Sequence, residues 1–192
     1  DLNTYCKDNK ILSLGISDTS NLCGALEFSE KIVKSGTQPI IGTQIIFKFE
    51  DQEGLLTLIA KNELGYRNMI ELSSKSYLEN NNLSQPHCKL TDLSNKNEGL
   101  IIMSGTINGL IGNLFNKGKF ELIEDIYKKL KNYFNDNFFI EIQRHSDKDE
   151  KSFEKFNLKI SLKHNIPIIA SHEVFYIEKN MHDAHEALIC IG

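Results

Sequence analysis

The chain has 192 residues, 40% of them hydrophobic and 25% charged, with a formal net charge of −4. That length buries one good core, so a single domain over 1–192 is expected, and the acidic balance excludes a nucleic-acid grip spread over the whole surface. No apolar run approaches the roughly 18 residues that span a bilayer, so no membrane span is expected, nor is a signal peptide, and the scattered Cys6, Cys23, Cys88 and Cys190 indicate neither a zinc ribbon nor a disulfide framework and predict reduced thiols in the cytoplasm.

In chain order, the pattern predicts a helix over 1–9, a buried strand over 11–17, and a helix over 24–35 with Leu26, Ile32 and Val33 inward. A strand rich in β-branched residues follows over 39–49, turns at a hairpin over 50–54 and pairs with 55–60. Asn62 caps a helix to about residue 78, with Leu64, Met69, Ile70 and Leu72 as candidate core contacts. The polar stretch 80–87 reads as a loop, 100–104 as a strand, and 107–115 and 119–134 as helices. A half-polar strand over 138–143, a helix over 150–164, a strand over 166–170 and a helix over 181–191 complete the chain. Short apolar runs alternating with amphipathic segments favour an α/β class with six or seven strands. Asp1 opens within a helical pattern and Gly192 follows an apolar stretch, so the chain is expected to be an internal piece of a longer protein.

Two of the predicted strands end in polar clusters, Ser17 to Asn21 and Ser171 to Glu173, the layout by which barrel strands deliver reactive groups to a C-terminal rim. Asp18 with Asn21 serves either a metal or phosphate site or the cap of the next helix, and capping is the favoured reading. Glu141, Gln143 and His145 alternate along one strand and share a face, which favours a site because the opposite face is Phe138, Ile140 and Ile142. His182, His185 and Glu186 lie about one helical turn apart, but a zinc site needs a further ligand, so a surface or interface helix is favoured. Lys117, Lys119, Lys128, Lys129 and Lys131, interleaved with Glu121, Glu124 and Asp125, read as a solvated helix face. The sequence holds neither a glycine-rich phosphate loop nor a G-x-S-x-G elbow.

Five segments together resemble the PHP (polymerase and histidinol phosphatase) domain of bacterial DNA polymerase III alpha subunits. LGISDTSNLCGALEF is similar to that family's strand ending in Thr-Asp-His and the helix start after it, and QPIIGTQI to its Lys-Pro-Ile-Ile-Gly-x-Glu strand. LLTLIAKNELGYRNMIELSSKSY is similar to the His-Leu-x-Leu-Leu-Ala-x-Asn and Gly-Tyr-x-Asn-Leu block, and FFIEIQRHSDKDE to the Glu-Leu-Gln-x-His strand. IPIIASHEVFYIEKNMHDAHEALICIG resembles the Ala-Thr-Asn-Asp-Val-His strand and the helix that follows.

The resemblance implies a distorted (β/α)7 barrel, truncated here before its first strand, whose metal-intact members carry divalent metals at the C-terminal rim. Position by position, Asp18 is retained, the next histidine is Thr19, the glutamate of Gly-x-Glu is Gln44, and the histidine before the Leu-x-Leu-Leu block is Leu55. The strand histidine is kept as His145, while the last motif's aspartate is Glu173 and its histidine Phe175. Leucine and phenylalanine cannot ligate a metal, and an amide is a poor substitute for a carboxylate. The site is therefore expected to be metal-free, filled by Leu55 and Phe175, with Asp18, His145 and Glu173 the candidates if any metal remains.

The resemblance further implies a parent enzyme that synthesises DNA on a template, using Mg2+ held by palm carboxylates outside this chain. This segment would be an inert scaffold that docks a proofreading exonuclease subunit among other replicase subunits, with template-primer DNA bound through the rest of the parent and no membrane contact. The competing expectations are a metal-dependent phosphoesterase or 3′–5′ exonuclease, and a stand-alone interaction module.

Overall fold

A computed structural model describes residues 2–80 and 85–191. Asp1, Gly192 and the middle of the expected 80–87 loop lie outside the described residues. The chain begins with helix α1 (Leu2–Asp8), then strand β1 (Ser13–Thr19), helix α2 (Ala25–Ile32) and the hairpin of β2 (Gln38–Phe49) with β3 (Gln52–Ala60). Helix α3 (Glu63–Leu78), a short β4 (Cys88–Lys89) and β5 (Leu100–Met103) follow. Helices α4 (Leu110–Asn116) and α5 (Phe120–Phe134), strand β6 (Phe138–Ile142), helix α6 (Glu150–His164), strand β7 (Ile168–Ala170) and helix α7 (His182–Ile189) complete the order.

The strands form one sheet in the order β1-β2-β3-β5-β6-β7, with β4 beside the end of β2. β1 runs parallel to β2, β3 is antiparallel to both β2 and β5, and β5, β6 and β7 are mutually parallel along the path. This mixed sheet curls into an incomplete barrel, the α/β architecture expected. The pairing is uneven: β2 and β3 share eight residue rows, while β5 and β6 share two, Ile102 with Phe138 and Met103 with Phe139.

The hairpin forms because Glu50 takes a positive φ of 53° in a two-residue turn, with Phe49 opposite Gln52. Helix α3 starts where predicted: the Asn62 side chain accepts from the Gly65 backbone N–H at 2.9 Å. Only glycine fits at 65, since a Cβ there would stand 1.8 Å from the Gly99 carbonyl oxygen. The core lies between the sheet and helices α3 to α6. Phe47, Leu56, Leu58, Ile102 and Phe138 meet Met69, Leu72, Leu110, Ile126 and Leu130 there, all of them buried.

Three expectations are corrected. β1 is not buried: its residues alternate between exposed and half-buried, because it is the edge strand of the sheet. Of α2's predicted inward residues, Ile32 is buried, but Leu26 is 69% and Val33 58% exposed, since this short edge helix buries only the narrow stripe of Ala25 and Ile32. On α3, Met69 and Leu72 are buried as expected. Leu64 and Ile70 are 43% and 41% exposed, because the inward row at helical spacing is Gly65, Asn68, Met69, Leu72 and Ser76. The two-residue β4 and the 3-10 turn Leu90–Asn95 were not predicted, being too short to carry a period.

Candidate functional site

The curl of the sheet leaves a cleft of about 780 Å3 at one end of the barrel. Thr19 closes β1 and lies beside Gln44 of β2, which in turn lies opposite Thr57 of β3. All three line the cleft, with Leu55, the loop 105–109 after β5, the end of β6 and the segment 172–176 after β7. Of the seven residues singled out from sequence, Thr19, Gln44, Leu55, His145, Glu173 and Phe175 line this cleft.

Asp18 does not line it. Alternation along β1 sends Asp18 to the side covered by α2, where its Oδ2 accepts the Gly24 backbone N–H at 3.3 Å. A Cβ added at Gly24 would meet both Asp18 Oδ2 and Ile16 Cδ1 at 2.9 Å, so those two side chains share the helix-facing side. Through this bond Asp18 ties the strand to the start of α2, and it is not among the residues that line the cleft.

The chemistry-bearing groups gather at β6 and β7. Glu141 is only 4% exposed. Its Oε1 accepts from Ser171 Oγ–H and from Gln143 Nε2–H at 3.1 Å, while its Oε2 is buried without a hydrogen-bond partner among the described residues. Gln143 Nε2 also donates to Ser171 Oγ at 2.9 Å, which orients the amide so that its Oε1 faces His145 Nε2 at 3.0 Å. An amide oxygen only accepts, so this network assigns the His145 proton to Nε2.

His172 comes up beside His145, Nδ1 to Nε2 at 3.3 Å with ring centroids 4.3 Å apart. The turn bearing His145 is held by Glu150, whose two oxygens accept the backbone N–H groups of His145 at 2.8 Å and Ser146 at 3.0 Å. Arg144 is drawn away by a two-point pair with Glu154, at 2.9 and 2.7 Å. The expected common face of Glu141, Gln143 and His145 is therefore a connected hydrogen-bond chain.

Beneath it, the Tyr127 hydroxyl donates to Asn157 Oδ1 at 2.9 Å in the fully buried interior. Burial pushes the Tyr127 phenol well above its ordinary range.

Phe175 corrects a further expectation. It is 65% exposed and stacks near His185, centroids 5.1 Å apart, so it borders the cleft mouth and does not fill the site. Helix α7 has no buried residue and rests on aromatic contacts of Phe175 and Tyr176 with His182 and His185, which fits a surface or interface helix.

The sequence profile described as the PHP domain matches residues 1–145. The chain belongs to the PHP domain family. It is 37% identical over 186 residues to a DNA polymerase III subunit alpha from Rickettsia bellii, covering 95% of this chain and 16% of that protein. The same-named protein from Caulobacter vibrioides is 33% identical over 191 residues, covering 95% of this chain and 17% of the relative. That from Borreliella burgdorferi is 32% identical over 203 residues, covering all of this chain and 18% of the relative. The chain thus spans about a sixth of the length of the curated relatives it matches. In fold it is similar to a Bifidobacterium adolescentis protein provisionally described as a metal-dependent phosphoesterase. The TM-score is 0.53 at 11% identity, covering all of this chain and 90% of the other.

The resemblance implies divalent metals at the rim of this PHP domain, and the side chains here do not fit such a cluster. Among the described residues no group of three His, Cys, Asp or Glu side chains is placed to hold a metal ion. Thr19, Gln44, Leu55 and Phe175 contribute a hydroxyl, an amide and two hydrocarbon groups to the cleft. His172 is the residue missed when ligands were carried over from the family, since it stands where the PHP pattern has asparagine. Its place in the polar Ser171–Glu173 cluster was the available signal.

Proposed function

We propose that this PHP domain is the scaffold module of a bacterial replicative DNA polymerase alpha subunit and performs no phosphoesterase chemistry of its own. The relatives' shared name supports the parent, whose template-directed DNA synthesis would use Mg2+ held by carboxylates elsewhere in the longer protein. The single observation behind the inert role is the cleft's donor set: two facing imidazoles, His145 and His172, without a third ligand placed to complete a metal site among the described residues. In this reading residues 1–192 form one cytoplasmic domain that supports the polymerase and docks a proofreading exonuclease subunit within the replicase. Template-primer DNA is then held by the rest of the parent.

A second reading, a metal-dependent phosphoesterase or 3′–5′ exonuclease, draws on the open cleft and the unpartnered Glu141 Oε2 at its floor. Elemental analysis after dialysis against Zn2+ or Mn2+, with hydrolysis of p-nitrophenyl phosphate, separates the two. The scaffold reading expects less than one metal per chain and the same background hydrolysis in wild type and His145→Ala. Stoichiometric metal, with Mn2+-dependent hydrolysis lost in His145→Ala, would hand the assignment to the second reading.

A further inference from the structure

Asn108 is the one asparagine of the chain that a glycine follows, and it stands exposed in the loop between β5 and α4. Asparagine is among the thermolabile residue types. Every other asparagine here precedes a residue whose Cβ hinders approach to its amide nitrogen. Glycine has no Cβ, so the Gly109 nitrogen is open to the side-chain carbonyl carbon of Asn108. The loop also puts Asn108 where a change of charge is felt. Its Nδ2 donates to Asp147 Oδ2 at 3.4 Å, tying the loop after β5 to the loop after β6, and both residues line the cleft.

The main chain on either side is held. The Gly109 N–H donates to the Thr106 carbonyl at 3.0 Å, and the Asn108 N–H donates to Thr106 Oγ1 at 3.3 Å, so reaction at this turn follows its local opening. Just beyond, the hairpin leaves no slack. A Cβ on Gly54 would stand 2.4 Å from Leu110 N and 2.8 Å from the Gly109 carbonyl carbon, and one on Gly109 would stand 3.0 Å from the Leu55 carbonyl oxygen.

We propose that Asn108 is a site of spontaneous deamidation that remodels the lip of the cleft. The Gly109 amide nitrogen gives its proton to hydroxide and bonds to Asn108 Cγ. The Cγ–Nδ2 bond breaks, ammonia leaves, and a cyclic imide remains. Water then opens the imide at either carbonyl, giving aspartate or an isoaspartate whose main chain runs through Cγ. Aspartate sets a second carboxylate where a donor faced Asp147, so an attraction becomes a repulsion. Isoaspartate adds a main-chain atom directly ahead of the tightly packed 109–110 segment. Neither effect depends on whether the cleft holds a metal.

The test is peptide mapping by mass spectrometry of the chain aged in warm, mildly alkaline buffer, beside a synthetic peptide of residues 104–112, with thermal unfolding of the same samples. Conversion at position 108 should outrun conversion at every other asparagine, with isoaspartate exceeding aspartate. It should run several-fold slower than in the peptide, because the bonds to Thr106 restrain the turn. Asn108→Gln should stay unconverted, and the aged wild type should melt below the fresh one. The charge effect is read from a double-mutant cycle at low salt: Asn108→Asp should lower the melting temperature more in the wild-type background than in Asp147→Asn, and added salt should shrink the difference. A chain that stays intact at 108 while the peptide converts, an aged chain that melts with the fresh one, or a cycle without coupling overturns the proposal.

Discussion

Asp18 and Gly24 are joined across the first strand-to-helix turn, carboxylate Oδ2 to backbone N–H at 3.3 Å. This bond satisfies a donor at the start of α2, much as a capping side chain does. Asp18→Ala should therefore lower the unfolding free energy by about 1 kcal/mol in urea denaturation, and Asp18→Asn should recover most of it. A metal role would instead show as changed zinc uptake with unchanged stability.

Glu141 supplies the acceptor for two neighbours while leaving its own Oε2 unpartnered in the interior. Glu141→Ala should cost about 1–3 kcal/mol, because Ser171 and Gln143 lose their buried acceptor. Glu141→Gln keeps the acceptor for Ser171 and Gln143 but sets an amide NH2 where Oε2 has no partner, so it should cost less than Glu141→Ala. Chemical denaturation of both variants checks the pair of expectations, and equal losses would refute the network.

The buried Tyr127 phenol fixes the sign of an alkaline effect. Burial raises its pKa in the folded chain above the unfolded value of 10.0, so the folded state keeps the proton longer. Its contribution is whole below pH 10 and is lost as the pH rises beyond that, with a slope approaching about 1.4 kcal/mol per pH unit. Tyr127→Phe should flatten that slope in unfolding measured from pH 9 to 11, and should cost about 1 kcal/mol at neutral pH through the lost bond to Asn157.

At the acid end, Glu124 is the corresponding group. Hydrogen bonds from Lys163 and Lys128 hold its carboxyl at about 2, down from 4.5. The folded state therefore binds fewer protons than the unfolded one, and the stability this contributes is present above pH 4.5 and lost as the pH falls toward 2. Glu124→Gln should show a smaller change in melting temperature between pH 5 and pH 3 than wild type does.

Phe175 and Leu55 part company energetically. Phe175→His acts on a side chain that is 65% exposed, so the unfolding free energy should barely move, within about 0.5 kcal/mol. Leu55→His places a polar ring on the half-buried cleft wall of β3 and should cost more. A large loss in Phe175→His would restore the filled-site expectation.

Much of the fold was legible because periodicity reports long elements. The helix over 150–164 was placed residue for residue, and Asn62 was recognised as a cap from its residue type and position. What periodicity does not report is where an element sits in the sheet. An apolar run looks the same at an edge as at a centre, so the sequence of β1 points to burial and Leu26 and Val33 look like core, where the structure exposes them. In the site, alternation correctly joined Glu141, Gln143 and His145. His172 stands in the polar 171–173 cluster, but its place beside His145 follows from the parallel pairing of β6 with β7, which sets the two strand ends side by side.

The narrow pairing between β5 and β6 has a mechanical consequence. With two rows there against eight in the hairpin, the main run of the sheet from β1 to β7 is least fastened along that line, and Ser104 is the rivet that compensates: its N–H bonds the Phe139 carbonyl, and its hydroxyl accepts the Glu141 N–H, each at 3.0 Å. Amide exchange on β6 should therefore quicken before exchange on β2 as the molecule warms, and the imidazole pair, carried at the ends of β6 and β7, should move with it.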